Sequence, residues 1–469
     1  MSHASPNPAQ AITHPGDERQ FLGHPRGLAY IAFAEAWERF SFYGMQALLM
    51  LYMTGHLLHP GVVEGVTGFA GFRAGVEDVF GVLSQQALAS QIFGLYVGLI
   101  YLTPILGGLV GDRLTGRTRA VLAGAVMMAA GHFLMAFEAA FLPALSALII
   151  GSGLLKGNLA AQVGNLYAKD DPRRDGAYTV YVTAINVGAF IAPLVCGTLG
   201  ELYGWHYGFG AAGVGMLIGL AIYVAGRRHL PAENTIRREH RATLQAGDGR
   251  VLFAILVLLV ITSLYWTVQA QIWNVYPLWL RDHVDRAVAF DLTVPVTWFQ
   301  ALDSMAVLVL APVMILFWRR QGRRGTEPDD LSKITTGCAW YGASCLLLAA
   351  GAWLAGDGLA MMVWPVTFHF VVAIGYLYAA PIALSLISRA APAAVTAMMV
   401  GAYYLAIFIG GLVSGWLGRF YEPLQPSAFW LLHAAIGLSG AMLIFLLRGW
   451  FLRALKLESG AAIQAAVPA

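Results

Sequence analysis

Glu35-Ala-Trp-Glu38-Arg39-Phe40-Ser-Phe42-Tyr43-Gly44 lies inside an apolar stretch, residues 27–56, that is long enough to cross a bilayer. A charge near the centre of a membrane helix costs about 2.5–3.5 kcal/mol on insertion scales, so intramembrane charges mark ion or substrate paths. Offsets of three and four put Glu35 beside Glu38 and Arg39 on one helical face. Two carboxylates against one guanidinium leave a negative charge over, and a proton would remove it. This stretch is a candidate proton site.

Composition agrees with a membrane setting. Of the 469 residues 58% are hydrophobic and 12% charged, against about 25% charged in soluble domains. The net charge is +3, and the basic residues sit in short connections rather than in a patch, which excludes nucleic acid as a partner. Residues 1–24 are polar with no apolar core, so no cleavable signal peptide is expected. Cys196, Cys338 and Cys345 fall in apolar stretches and read as small buried hydrophobes. No metal-ligand spacing and no nucleophile–base cluster is visible, so neither an enzyme nor a cofactor is expected.

A membrane span needs about 20 mostly apolar residues. Twelve stretches qualify, approximately 27–56, 84–110, 118–138, 141–167, 175–202, 206–226, 251–280, 294–318, 332–355, 359–388, 394–418 and 427–450. Alternate connections carry the arginines and lysines: Arg113, Arg117 and Arg119; Lys169, Arg173 and Arg174; the run from Arg227 to Arg250; Arg319 to Lys333; and Arg389. Cytoplasmic loops hold such an excess, so both termini are expected in the cytoplasm. The longest interior connection, 227–250, divides the spans six and six. The expected organisation is a tail at 1–24, a bundle over 25–226, a linker at 227–250, a bundle over 251–452 and a tail at 453–469.

Two six-helix halves around a midplane site is the major facilitator architecture, an all-α integral membrane fold. Gly107-Gly108-Leu-Val-Gly-Asp112-Arg113-Leu-Thr-Gly116-Arg117, between spans 2 and 3, resembles the loop motif of that superfamily. The resemblance implies that Gly108 allows close helix approach and that an Asp112–Arg113 pair latches neighbouring helix ends.

The opening stretch is similar to the ExxERFxYYG signature of proton-dependent oligopeptide transporters. Gly151-Ser-Gly-Leu-Leu-Lys156-Gly-Asn158 resembles that family's fourth span, and Tyr178-Thr-Val-Tyr181-Val-Thr-Ala-Ile185-Asn186-Val-Gly188 its fifth. Trp298-Phe299-Gln300 and Ala380-Pro381 extend the likeness into the second half. The resemblance implies symport, in which protons moving inward drive uptake of di- and tripeptides. It assigns coupling to Glu35, Glu38, Arg39 and Lys156, and places Tyr43, Tyr96 and Asn186 in the substrate cavity. It further implies a monomer in the bacterial inner membrane, with lipid and small peptides as partners and protons as the coupling ion. The alternatives are the same fold carrying a non-peptide solute, or a receptor that binds without transporting.

The chain departs from the family at positions that grip peptide ends. The usual span-1 arginine is Gln46, the span-7 acid is absent from Gln269-Ala270-Gln271, and the span-10 glutamate is Tyr376. Asp303 stands where the family usually has asparagine, and Phe42 replaces the first tyrosine of the signature. A zwitterionic ligand in a low-dielectric cavity wants a cation at one end and an anion at the other. Lys156 is the expected cation and Asp303 the expected anion, facing each other across the cavity. Gln46, Gln271 and Tyr376 complete the expected lining. His132, His369 and His433 read as structural, His369 being the exception to watch because it shares a span with Tyr376.

Overall fold

A helix that is apolar all round must bury itself in protein or lipid, and most helices here have that composition. The computed structural model describes residues 21–168, 171–230, 244–245, 247–288 and 292–457. Residues 1–20 and 458–469 of the expected tails, and most of the expected linker, lie outside the described residues.

The first bundle contains α1 (Arg26–Tyr52), α3 (Gln85–Val110), α4 (Arg117–Leu134), α5 (Phe141–Asn165), α6 (Arg174–Ala192) with its continuation α7 (Thr198–Tyr203), and α8 (Trp205–Gly226). The second contains α9 (Asp248–Gln271) with its continuation α10 (Tyr276–His283), α11 (Val296–Arg323), α12 (Asp330–Ala355), α13 (Val363–Ala390), α14 (Thr396–Leu417) and α15 (Pro426–Ala454). These are the twelve expected spans in two sixes. Ten of them are long and apolar enough among the described residues to be recognised as spans by composition alone. The other two are α1, which carries Glu35, Glu38 and Arg39, and the short α4, which opens on Arg117 and Arg119. These charges lower the mean hydropathy of both helices, and in the first span Gln46 and His56 lower it further.

The ends of these helices follow local chemistry. Ser84 caps α3 by accepting from the Ala87 amide at 3.1 Å, and Asp329 caps α12 through the Ser332 amide at 3.0 Å. Gly116, at φ +80°, makes the left-handed step between α3 and α4 that a side chain would strain. The expected seventh span is not continuous. It breaks at Ile272–Val275, where the chain turns before α10 begins.

Within the first bundle α1 packs on α6 and α8, and α5 on α3 and α4; in the second, α12 packs on α13 and α15, and α9 on α14 and α15. The bundles meet through α3 against α14 and α6 against α11. At the α3–α14 contact glycine is required, because a Cβ on Gly94 would sit 2.6 Å from the Gly415 Cα. Three elements were not anticipated. A surface helix, α2 (Phe69–Phe80), lies between α1 and α3, and the two-residue strands β1 (Val284–Asp285) and β2 (Ala360–Met361) pair in parallel to tie two loops together.

Candidate functional site

The spacing of the opening stretch does what helix geometry requires. Glu35 and Arg39 are one turn apart and their charges meet at 3.0 Å, while Glu38 reaches the same Arg39 Nε at 2.5 Å. All three are buried, Glu38 completely. The contacts are charge contacts rather than aligned hydrogen bonds, since Nε and both Glu38 oxygens lack a well-directed partner. Tyr181 of α6 stands beside Glu35 within electrostatic reach. The helices approach closely here because Gly188 of α6 packs directly on the Ala36 carbonyl.

Lys156, on α5, comes to this cluster without pairing to it. Its Nζ lies 3.8 Å from the centre of the Phe42 ring and 5.0 Å from that of Tyr101 on α3. It makes no hydrogen bond among the described residues. A cation over an aromatic face gains about 0.5–2 kcal/mol, so the departure at Phe42 supplies the lysine's resting place. Tyr101 was missed in the sequence. It stacks on Tyr404 of α14, 6.3 Å between ring centres, and so bridges the bundles.

In the second bundle Asp303 accepts from Gln269 Nε2 at 3.4 and 3.2 Å. Gln269 Oε1 in turn accepts the Tyr341 hydroxyl at 3.0 Å. Asp303 is half-buried and has Tyr43 of the first bundle within electrostatic reach, together with Tyr376. Groups of both bundles therefore stand around it. Tyr43 also packs across the boundary on Trp273, with ring centres 5.2 Å apart. Gln46 is buried with its side-chain oxygen unpartnered. Tyr96 is buried within reach of Glu38. Asn186 is half-exposed and donates to the Val182 carbonyl of its own helix.

Several expectations are corrected. Gln271 does not line the cavity: it is buried, donates to the Ser414 carbonyl at 3.1 Å, and meets His433 at 3.0 Å. Gln269, two residues earlier and on the opposite side of α9, is the glutamine that meets Asp303. Asp112 pairs with Arg117 at 2.8 Å, not with Arg113, because the intervening wide turn (Gly111–Thr115) carries Arg113 out of reach. The close approach belongs to Gly107, against the Gly153 backbone, and a Cβ on Gly108 would meet only open space. His369 hydrogen-bonds Tyr276 at 3.0 Å inside an aromatic cluster and is structural.

The bundles are fastened where α1 ends and α3 and α11 begin. Glu201 accepts from the Val296 and Thr297 amides, both at 2.9 Å. Ser90 donates to Asn274 at 2.9 Å, and Ser84 to Glu422 at 2.5 Å. Trp298 donates to Thr198 at 2.8 Å. These contacts join the bundles at the end where α1 finishes; Glu35, Glu38 and Arg39 lie about four turns earlier in α1.

A family model described as the POT family matches residues 118–244 and 232–427. The chain belongs to the POT family. YclF of Bacillus subtilis, described as an uncharacterized transporter, is 28% identical over 90% of this chain and 94% of its own length. The peptide transporter YePEPT of Yersinia enterocolitica is also 28% identical, covering 93% of this chain and 97% of its own. A crystal structure of peptide transporter POT in complex with sulfate matches with a TM-score of 0.81 at 27% identity, over 93% of this chain and 97% of that one. As a POT family member the chain is a multi-pass membrane protein with the major facilitator fold, and its relatives are transporters.

Proposed function

We propose that this POT family member is a proton-coupled importer of di- and tripeptides working by alternating access. It sits as a monomer in the bacterial cytoplasmic membrane with both termini inside and uses no cofactor beyond the proton. The observation that carries the reading is the pair of buried carboxylates, Glu35 and Glu38, sharing the single guanidinium of Arg39. One guanidinium balances one carboxylate, so the other is poised to take a proton, and Lys156 stands close by to compensate when the proton leaves. Tyr43, Gln46, Tyr96, Asn186 and Tyr376 line the peptide path, and Asp303 receives the ligand from the second bundle. Asp112 latches the loop between α3 and α4. With both termini inside, the fastened end is the outward one in this reading.

Purified protein in proteoliposomes, given an inwardly directed proton gradient, tests the reading with labelled dialanine. Accumulation above equilibrium that collapses with a protonophore is expected. Equal uptake with and without the gradient overturns it.

A further inference from the structure

Asp303 is a carboxylate in the second turn of α11 that pairs with no cation among the described residues. The groups that face it are Gln269 from α9, Tyr276 from α10, Tyr341 from α12, Tyr376 from α13 and Tyr43 from α1. These are one amide and four phenols, and among the described residues no lysine, arginine or histidine forms an ion pair with it. The amide is itself directed. Tyr341 gives its proton to Gln269 Oε1, which turns the Gln269 N–H groups onto both Asp303 oxygens. A carboxyl group held this way is set to accept.

The cations of the cavity are elsewhere. Arg39 is shared by Glu35 and Glu38, and Lys156 lies on Phe42. Three carboxylates oppose two cations, so the site as a whole lacks one positive charge. A buried charge needs a partner or a proton.

We propose that Asp303 is a cation subsite at which a proton and a ligand ammonium compete. The transporter then also takes singly cationic amines whose far end is uncharged, such as C-terminally amidated dipeptides. This deepens the transport reading and rests on it for the cavity. An amidated peptide brings the one missing positive charge and no negative one, so it displaces the proton. A zwitterionic dipeptide brings both charges, leaves the shortfall in place, and keeps the proton bound. The two ligands therefore differ in their response to pH: the amide tightens as pH rises and the zwitterion barely changes. The aromatic wall of Tyr43, Tyr376 and Trp266 suits an organic cation.

Equilibrium binding of dialanine and of dialanine amide to the purified full chain in nanodiscs, between pH 5 and 7, tests this. The α-amino group remains protonated over that range. Dialanine amide is expected to tighten with rising pH, by up to tenfold per unit as one proton is released, while dialanine changes less than threefold. Asp303→Asn should weaken the amide at least tenfold and flatten its pH profile, and Asp303→Glu should restore the slope. Amide binding that is flat or weakens toward pH 7, or a slope that survives Asp303→Asn, overturns the proposal. The assay needs no gradient. Competition without gradient-driven uptake would refute coupling and leave the subsite standing, whereas uptake without competition would do the reverse.

Discussion

Thr297 gives both its backbone N–H and its hydroxyl to the carboxylate of Glu201, at 2.9 and 2.7 Å, across the boundary between the bundles. The first turn of α11 thus has its free amides satisfied by an acid from the opposite half, where the helix dipole also favours negative charge. Capping of this kind contributes about 0.5–2 kcal/mol, and the bond can exist only while the bundles touch at this end. Glu201→Ala should shift the population toward the outward-open state by about one order of magnitude. The check is labelling of a cysteine placed by Gln46→Cys with a membrane-impermeant maleimide from outside. The native cysteines are buried and will stay silent. Unchanged labelling would show that Glu201 contributes nothing to closure.

Glu38→Gln should abolish pH-driven accumulation of dialanine and retain counterflow exchange, because the amide keeps the volume while removing the proton site. Arg39→Met removes the guanidinium shared by two buried acids. Breaking a buried pair costs about 3–5 kcal/mol, so a clear drop in melting temperature is expected, larger than for Glu38→Gln. Gradient-driven uptake that survives both Glu35→Gln and Glu38→Gln would end the coupling assignment.

Phe42→Leu removes the face on which Lys156 rests and keeps an apolar, slightly smaller side chain there. Loss of about 1 kcal/mol of cation–π attraction releases the ammonium toward Glu38. The expected result is a KM for dialanine raised about fivefold, with Phe42→Tyr, which keeps the ring, close to the parent. A Leu variant that behaves like Tyr would remove the ring from the account of Lys156.

Gly94→Val should lower the melting temperature and block uptake, since its side chain would run into the Gly415 backbone. Overpacking typically costs about 1–3 kcal/mol. Gly108→Val is the matched control, because its Cβ meets open space, and it should melt like the parent.

Asp171, in the loop between α5 and α6, bears on pH in a different way. Hydrogen bonds from Arg173, led by its side chain, lower the Asp171 carboxyl to about 2. A depressed folded value means that its contribution is complete above about pH 4 and is lost only as pH falls through about 2. Asp171→Asn should therefore leave the transport profile between pH 5 and 8 unchanged. A shifted profile would place part of the pH response in this loop rather than in the buried cluster.

What could be read from the chain depended on how many side chains a spacing rule can place. Glu35, Glu38 and Arg39 lie within one helical turn, so periodicity alone brought them together. Gln269 and Gln271 are two residues apart and point to opposite sides of α9. Only tertiary packing says which side faces the cavity, and the sequence reading chose the wrong one. The same holds for Arg113 and Arg117, whose phases are reset by the wide turn at Gly111–Thr115. Tyr101 could not be found beforehand, because in an apolar helix a tyrosine against a lysine looks like any other packing residue. Twelve spans were countable because apolar length is a one-dimensional signal. The break at Ile272–Val275 was hidden, since the apolar run continues through it.

The surface helix α2 gives this protein a folded handle outside the bundles, next to a joint that exists in one state only. Gly81, which ends α2, approaches Arg419 of the second bundle, and Ser84 just beyond it holds Glu422. An antibody fragment that spans α2 and the Arg419–Glu422 turn would recognise a composite epitope assembled by closure. It would act as a clamp without entering the cavity, and its affinity would read the conformational equilibrium directly. The same surface that went unnoticed in the sequence is thus the natural grip for trapping the transporter and for weighing its states.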